Sequence, residues 1–423
     1  MVGRQDNFVD IIISKIIREF FIKKMRLPAG MTGLVSLFML AHFGHHMIGA
    51  MLSPLLPFIR NDLNLNYTEA GIILSAFSLA GGLSQLPAGY LADRFGQRLL
   101  ITIGISGVAV TAVFIGLSNS FMFLTISLIL AAVLGGGYHS AAATVVSGMA
   151  SEKYRGRALG FHLIGGTSCM WVVPLIAAPI AAALSWRASY FILAVPAFII
   201  GMLVFFLLKK QTFRRQITVE QVQNAGRDKF NWHKLIPVMA MVIGGNLMMM
   251  SVTSYLSLYG VDHLGLTKTA AGLLTSLIPG IGLIGAPLGG YLSDRFGDMK
   301  ILILMNILLA PLLFVIGQIN TLIPILVILI LLGMVSSICM PTSEAFIVGN
   351  TPSKRRSTVL GVYFFSGAGL AGLVTPLMGN LIDRHGFEYT YTVASIVAAI
   401  ITVVAVIYLR INYRLVSQQG QST

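Results

Sequence analysis

Long apolar runs, separated by short polar stretches, dominate the chain. They cover approximately residues 31–58, 67–91, 99–117, 121–149, 157–184, 188–208, 235–259, 269–292, 301–318, 322–349, 357–381 and 390–410. The runs are continuous rather than alternating, which excludes the period-two pattern of a membrane barrel. A helical crossing of a ~30 Å hydrocarbon core needs about 20 apolar residues, and only helices or closed barrels satisfy their backbone groups in lipid. The pattern therefore predicts an all-α polytopic membrane protein with twelve transmembrane helices. The one long polar stretch, residues 209–234, divides the runs six and six. The expected organisation is a segment 1–29, a six-helix bundle over 30–208, a linker over 209–234, a second six-helix bundle over 235–411 and a tail over 412–423.

Composition agrees: 56% of the 423 residues are hydrophobic and only 10% charged, against about 25% charged in soluble domains. The net charge of +14 suggests nucleic acid until the charges are placed. Under a cytoplasmic N-terminus, 25 of the 29 Lys and Arg fall in cytoplasmic segments, and only Arg60, Arg187, Lys268 and Arg384 fall on the other side. This positive-inside bias predicts both termini in the cytoplasm and no nucleic-acid partner. Within the first segment, Ile13, Ile16, Ile17 and Phe20 share one helical face, so Phe8–Arg26 is expected to lie on the cytoplasmic membrane surface; a partly disordered basic tail is the alternative. Cys169 and Cys339 each fall inside a span and are expected to pack as small apolar residues.

The chain repeats itself at an offset of 201 residues. Thr68-Glu69-Ala70-Gly71 meets Thr269-Ala270-Ala271-Gly272, and Leu159-Gly160 meets Leu360-Gly361. Gly89-Tyr90-Leu91-Ala92-Asp93-Arg94-Phe95-Gly96 meets Gly290-Tyr291-Leu292-Ser293-Asp294-Arg295-Phe296-Gly297. One offset serving three places implies two halves of one fold, pseudo-symmetric about an axis along the membrane normal. The stretch Gly89–Arg98 resembles the signature loop of the major facilitator superfamily between its second and third helices, and Gly290–Gly297 resembles the second copy. Gln97, Asp298 and Met299 depart from the usual pattern. Ser185-Trp186-Arg187-Ala188-Ser189-Tyr190-Phe191 is similar to that family's start of helix six. His42, Leu55-Leu56-Pro57, Tyr67–Gly71 and Gly137–Ala143 partially resemble its fosmidomycin-resistance efflux branch. His46 stands where that branch usually has Asp, and Gly165-Gly166 replaces the Gly-Pro pair common in drug antiporters.

The loop residues have physical roles of their own. Gly89 and Gly290 permit close helix approach, Asp93 suits a neighbouring helix N-terminus, and Arg94 and Arg98 can bridge carboxylates or lipid phosphate. The resemblance implies that Gly89, Asp93, Arg94, Gly96 and Arg98, with Gly290, Asp294, Arg295 and Gly297, form gate loops. These would latch the halves on the cytoplasmic side when the cavity opens outward; a tight charged turn is the plainer reading.

Ionisable groups inside the spans are few, and their cost in lipid makes them functional candidates. His42, His45 and His46 lie within one arc of span one, His139 in span four and His162 near the cytoplasmic end of span five; Glu344, in span ten, is the lone acidic residue placed well inside a span. The resemblance implies that spans one, four, seven and ten line the central cavity. His42, His45, His46, His139 and Glu344 are therefore candidates for proton coupling or substrate contact, joined by Asn246, Thr253 and Ser257 at i, i+7, i+11 on span seven and by Ser336 and Ser343 on span ten. Interhelical hydrogen bonding is the alternative for each histidine.

No phosphate loop, nucleophile elbow or hydrolase motif occurs, so neither an enzyme nor ATP-driven transport is expected, and no cofactor. The expectation is a monomeric secondary transporter working by alternating access, coupled to protons, moving a small organic solute outward. Uptake of an organic acid or sugar-like solute is an alternative, weakened because no Arg or Lys falls mid-span. Histidines at i, i+3 and i+4 also allow a transition-metal transporter, although no Cys or Asp completes a ligand shell of the usual kind; no metal is assigned.

Overall fold

The computed structural model describes residues 29–149, 152–208, 232–351 and 356–419. The expected surface helix Phe8–Arg26 and most of the 209–234 linker lie outside these.

The first apolar run forms a bent pair. α1 (Ala29–His46) gives way to a 3-10 turn (Gly49–Met51) and α2 (Leu52–Leu63), with a 50° bend between the two arms. Asn64 ends α2 in the left-handed region at φ 53°. α3 (Tyr67–Phe95) then crosses to the opposite end. Its start is fixed by a capping box: Asn66 accepts from the Glu69 N–H at 2.7 Å, and Glu69 accepts from the Asn66 N–H at 2.9 Å, an arrangement that satisfies two orphan donors at once.

The third run is α4 (Gln97–Thr102), a π-helical turn (Ile103–Gly107) and α5 (Val108–Gly116). α6 (Phe121–Gly135) and α7 (Tyr138–Met149) follow, then α8 (Glu152–Ala183) and α9 (Trp186–Leu207). After the linker come α10 (Trp232–Ser254), α11 (Leu256–Asp262), α12 (Lys268–Leu274), α13 (Leu277–Phe296), α14 (Asp298–Gln318) and α15 (Leu322–Gly349). α16 (Arg356–Gln419) closes the chain and runs into the stretch expected as a tail. Its apolar part, Phe365–Ile411, is 47 residues, about 70 Å if straight and more than twice a bilayer core. Gly386, at φ 77° and ψ 178°, breaks it, with the eleventh and twelfth expected spans falling on either side.

Among the described residues, ten helices are long and apolar enough to cross a membrane, or eleven if the bent pair counts as one. Apolar side chains also cover the outside: Leu86, Phe206, Ile323, Leu377 and Val404 are each at least 60% exposed, which lipid rather than water accommodates.

The 201-residue offset recurs as geometry. Gly96 and Gly297 share φ 89°, with ψ 140° and 136°, a conformation that favours glycine. Tyr190 and Tyr391 are both fully buried. Gly44 abuts Ile105 just as Gly245 abuts Asn306. Ser185, capping α9 through the Ala188 N–H at 3.1 Å, corresponds to the break at Gly386.

Across the halves, α3 packs along α16 and α8 along α13. Small residues allow it. A Cβ on Gly71 would lie 3.0 Å from the Pro376 backbone, and one on Gly379 would lie 2.4 Å from the Tyr67 carbonyl oxygen; this is how membrane helices approach closely.

Candidate functional site

Five imidazoles gather where the first run bends. α1 ends at His46 and carries His42 and His45 in its last turns; α7 brings His139, and α8 brings His162. His42 Nδ1 donates to the His162 carbonyl at 2.8 Å, His162 Nδ1 to the Phe38 carbonyl at 3.0 Å, and His45 Nδ1 to the Gly104 carbonyl at 2.8 Å. A carbonyl only accepts, so each of these three rings carries its proton on Nδ1 and, when neutral, presents a bare Nε2. His46 Nε2 lies 3.0 Å from His42 Nε2. The potential ligand nitrogens of His42, His46 and His139 all fall within 4.8 Å of one another.

Packing holds the group together. His162 stacks on His42 at 4.2 Å between ring centroids, and Tyr138 stacks on His45 at the same separation. α1 and α8 can approach only because of Gly165 and Gly166. A Cβ on Gly165 would sit 2.1 Å from the Met39 carbonyl oxygen, and one on Gly166 would sit 2.7 Å from His42 Cε1. The π-helical turn contains Gly104, whose carbonyl receives His45; such turns recur at functional sites. His42 and His162 are buried, whereas His45, His46 and His139 are half-buried. No salt bridge or hydrogen bond links a carboxylate to these rings among the described residues. Two protonated rings about 5 Å apart would repel by roughly 3 kcal/mol at an effective dielectric near 20.

A cavity of about 250 Å³ lies in the second half, between α10, α14, α15 and α16. Met249, Met250, Met305, Met340 and Cys339 give it sulfur on several sides, with Asn246, Asn306, Ser336 and Tyr363 as its polar points. No Lys, Arg, Asp or Glu lines it. Thioethers are flexible and polarizable, suited to apolar guests of varied shape.

The structure thus brings His42, His45, His46 and His139 together and sets Asn246 and Ser336 on the cavity. It separates other candidates from it. α10 ends at Ser254, so the expected continuous i, i+7, i+11 face does not form. Thr253 bonds back to the Met249 carbonyl at 3.0 Å, and Ser257, on α11, is buried against the Ser53 carbonyl at 2.6 Å. Glu344 is half-buried and stands only three residues before the end of the apolar span Leu322–Ile347, so it is shallower than expected. Ser343 bonds the Tyr363 hydroxyl at 2.6 Å rather than Glu344. His162, Tyr138 and the sulfur residues were not among the leading sequence candidates.

The two ends of the molecule differ. At one, contacts cross between the halves: Arg60 pairs with Asp262, and the Tyr67 hydroxyl donates to Asp262 at 2.6 Å. Asp383 accepts from the Tyr67 N–H at 2.9 Å and the Thr68 N–H at 2.8 Å, capping α3 from the opposite half. Tyr255 donates to the Thr375 carbonyl at 2.8 Å and the Tyr67 carbonyl at 3.2 Å.

At the other end, Asp93 and Arg94 are exposed, as is Arg295. Arg94 reaches Tyr90 at 3.3 Å and Arg295 reaches Tyr291 at 3.0 Å, each within its own helix. Arg98 donates to the Phe205 carbonyl at 2.7 Å, not to a carboxylate. Among the described residues no ion pair crosses between the halves at this end.

The sequence matches the Major Facilitator Superfamily over residues 38–317 and 243–423. A multidrug resistance protein, MdtG of Salmonella paratyphi A (strain ATCC 9150 / SARB42), is 26% identical over 82% of this chain and 88% of its own. A probable L-galactonate transporter of Escherichia coli (strain K12) is 26% identical over 56% of this chain and 55% of its own. Among solved structures, a POT family transporter in complex with a thioalcohol-conjugated peptide superposes with a TM-score of 0.76 at 13% identity, covering 92% of this chain and 99% of that one. A bacterial homolog of the human lysosomal transporter Spinster, inward-facing and occupied, gives 0.74 at 13% identity over 91% and 98%; at such identities the likeness is one of fold. Relatives and fold alike are those of transporters, and the apolar spans make the chain an integral multi-pass protein of the inner membrane. The chain belongs to the Major Facilitator Superfamily.

Proposed function

We propose that the protein is a proton-coupled secondary transporter that moves a small, mainly apolar organic solute outward by alternating access, with the sulfur-lined cavity as its solute site. The asymmetry of the two ends carries the reading. The ion pair that joins the halves among the described residues, and the hydrogen bonds around it, lie at one end, as one state of a rocking two-bundle transporter requires. The Lys/Arg bias makes the joined end extracytoplasmic, so the cavity faces the cytoplasm, and twelve crossings in two six-helix bundles follow if Gly386 separates the last two. The similarity to a multidrug resistance protein favours a drug-like solute, and the uncharged, thioether-rich lining favours an apolar one; the same lining offers no cation to an organic acid. The gate loops latch the cytoplasmic side in the opposite state, and Glu344, near the cytoplasmic end of α15, exchanges the coupling proton.

A thermal-shift screen of drugs, sugar acids and inorganic anions on the purified protein tests the solute class, because a ligand stabilises the state it binds. Apolar drugs are expected to raise the melting temperature of the wild type and not of Met305→Trp, which fills the cavity. Stabilisation by anions alone, or equal stabilisation of the variant, overturns the site. In liposomes Glu344→Gln should still exchange solute but not concentrate it against a proton gradient. Orientation is read with single cysteines at positions 224 and 320 in a Cys169→Ala, Cys339→Ala background: an impermeant thiol reagent on intact cells should label 320 and spare 224.

A further inference from the structure

We infer that His42, His46 and His139 form a binding site for a divalent transition-metal ion of the zinc class. Their ligand nitrogens fall within 4.8 Å of one another. Tetrahedral zinc at about 2.0–2.1 Å from nitrogen sets those nitrogens about 3.3–3.4 Å apart, so side-chain rotations of about an ångström close the widest gap. The His42 nitrogen need not be stripped of a proton first, whereas the His46 Nε2–H that donates to it gives up that position, its proton moving to Nδ1, when an ion binds. His42 Nδ1 is committed to the His162 carbonyl, which leaves Nε2 bare and aimed at His46 Nε2, 3.0 Å away. A backbone carbonyl holding the distal nitrogen is the arrangement that orients metal-bound imidazole.

The backbone contributes as well. α1 terminates at His46, before the 50° bend. The carbonyl end of a helix carries partial negative charge, favourable to a cation, and broken spans in transporters place such ends at ion sites. Three protein ligands leave a fourth position, and His46 and His139 are only half-buried, so an ion can exchange rather than remain as a fixed structural element. An all-imidazole set suits zinc, cobalt, nickel or copper(II) rather than magnesium or calcium.

Packing alone does not demand these rings. At the 201-residue offset, His42, His46 and His139 correspond to Ile243, Leu247 and Met340, and the same helices assemble around them. Hydrogen-bonding glue is the competing account, and it predicts no ion affinity.

The inference is independent of the transport reading, because binding is measured without flux. The full chain, purified in detergent without a histidine tag and treated with chelator, is titrated with Co²⁺, followed by its visible absorption, and then with competing Zn²⁺. The expected result is one ion per chain, with the cobalt bands of a four-coordinate site displaced by zinc. His46→Ala and His139→Ala should each weaken binding by at least about 10-fold, while His385→Ala, at an exposed histidine outside the cluster, changes nothing. His46→Gln and His139→Gln keep more of the side-chain volume and decide the matter if an alanine variant loses its monodisperse elution peak. No binding by wild type at about 100 µM ion, a hundredfold excess over a micromolar Kd, overturns the site. So does undiminished affinity in the folded His46 and His139 variants.

Discussion

In the first half, positions 42, 45, 138, 139 and 162 are His, His, Tyr, His and His. The residues 201 positions later are Ile243, Asn246, Cys339, Met340 and Tyr363, and all five of these line the cavity. One location in a repeated scaffold has taken two chemistries. In the first half, flat rings stack at 4.2 Å and fill the space. In the second, Ile243, Asn246, Cys339 and Met340 replace four of the five rings, and about 250 Å³ stays open. The difference teaches that the repeat conserves helix geometry and not the lining, so that one half can hold a cation while the other takes an apolar guest.

The sharpest way to break this comparison is at the helix contacts beneath each site. Gly165→Ala drives a Cβ to 2.1 Å from the Met39 carbonyl oxygen, a backbone atom. It should cost toward the upper end of the roughly 1–3 kcal/mol typical of overpacking. Gly166→Ala meets the His42 ring at 2.7 Å and should cost less, because a ring can tilt. Its counterpart Gly367→Ala meets only Asn246 Nδ2 at 3.6 Å, ordinary contact, and should be near neutral. Unfolding midpoints in detergent check the order; equal losses at Gly166 and Gly367 would show that the two halves are packed alike after all.

The closed end departs from the repeat too. Asp383 of the second half caps α3, while Ala182 stands at the corresponding place in the first half, and α12 is capped only by its own Thr267. Asp383→Ala should favour opening of that end by about 1–3 kcal/mol, the range for hydrogen bonds to a charged group and for leaving their donors unpaired. Spin labels at exposed Asn61 and Arg384 should then report longer distances by electron–electron resonance. Thr267→Ala should cost about 1 kcal/mol of local stability and leave that distance distribution unchanged. An unaltered distribution in Asp383→Ala sinks its role as a cross-half lock.

Much of the fold was legible because each crossing writes itself as an apolar run, and because the repeated loops impose one offset. Gly96 and Gly297, aligned by sequence alone, adopt the same φ of 89°. The site was legible only in part. The histidines of span one announced themselves by their cost in lipid, but the helix break beside them did not, because a proline such as Pro54, in the first turn of α2, is as readily accommodated at a helix start as at a break. His162 was discounted for its position near a membrane face. Its convergence on His42 depends on α1 and α8 touching at Gly165 and Gly166, a contact between residues 120 positions apart. Ser257 was misassigned for the converse reason: a wheel projected through Ser254 and Leu256 assumes a helix that the turn at Tyr255 interrupts. Nothing in the sequence singles out Asp262 and Asp383, because their partners lie in the other half of the chain.

The smallest expected effect distinguishes the open half from the filled one directly. The two cysteines are built-in reporters: Cys339 lines the cavity, whereas Cys169 has no exposed surface and packs within the core of α8. Thiol chemistry follows access as well as thiolate content, so a membrane-permeant maleimide should modify Cys339 well before Cys169, which should need denaturant. Cys339→Ala should cost little stability, since the side chain already borders empty space and its removal only enlarges it. A solute that binds the cavity should slow labelling of Cys339 in proportion to occupancy and leave Cys169 unaffected. Peptide mapping of the modified protein separates the two sites. If Cys169 reacts as fast as Cys339, the first half is as open as the second, and the contrast between stacked imidazoles and a sulfur-lined hollow fails. If Cys339 labels quickly but no solute that shifts the melting temperature protects it, the cavity is real and the solute binds elsewhere.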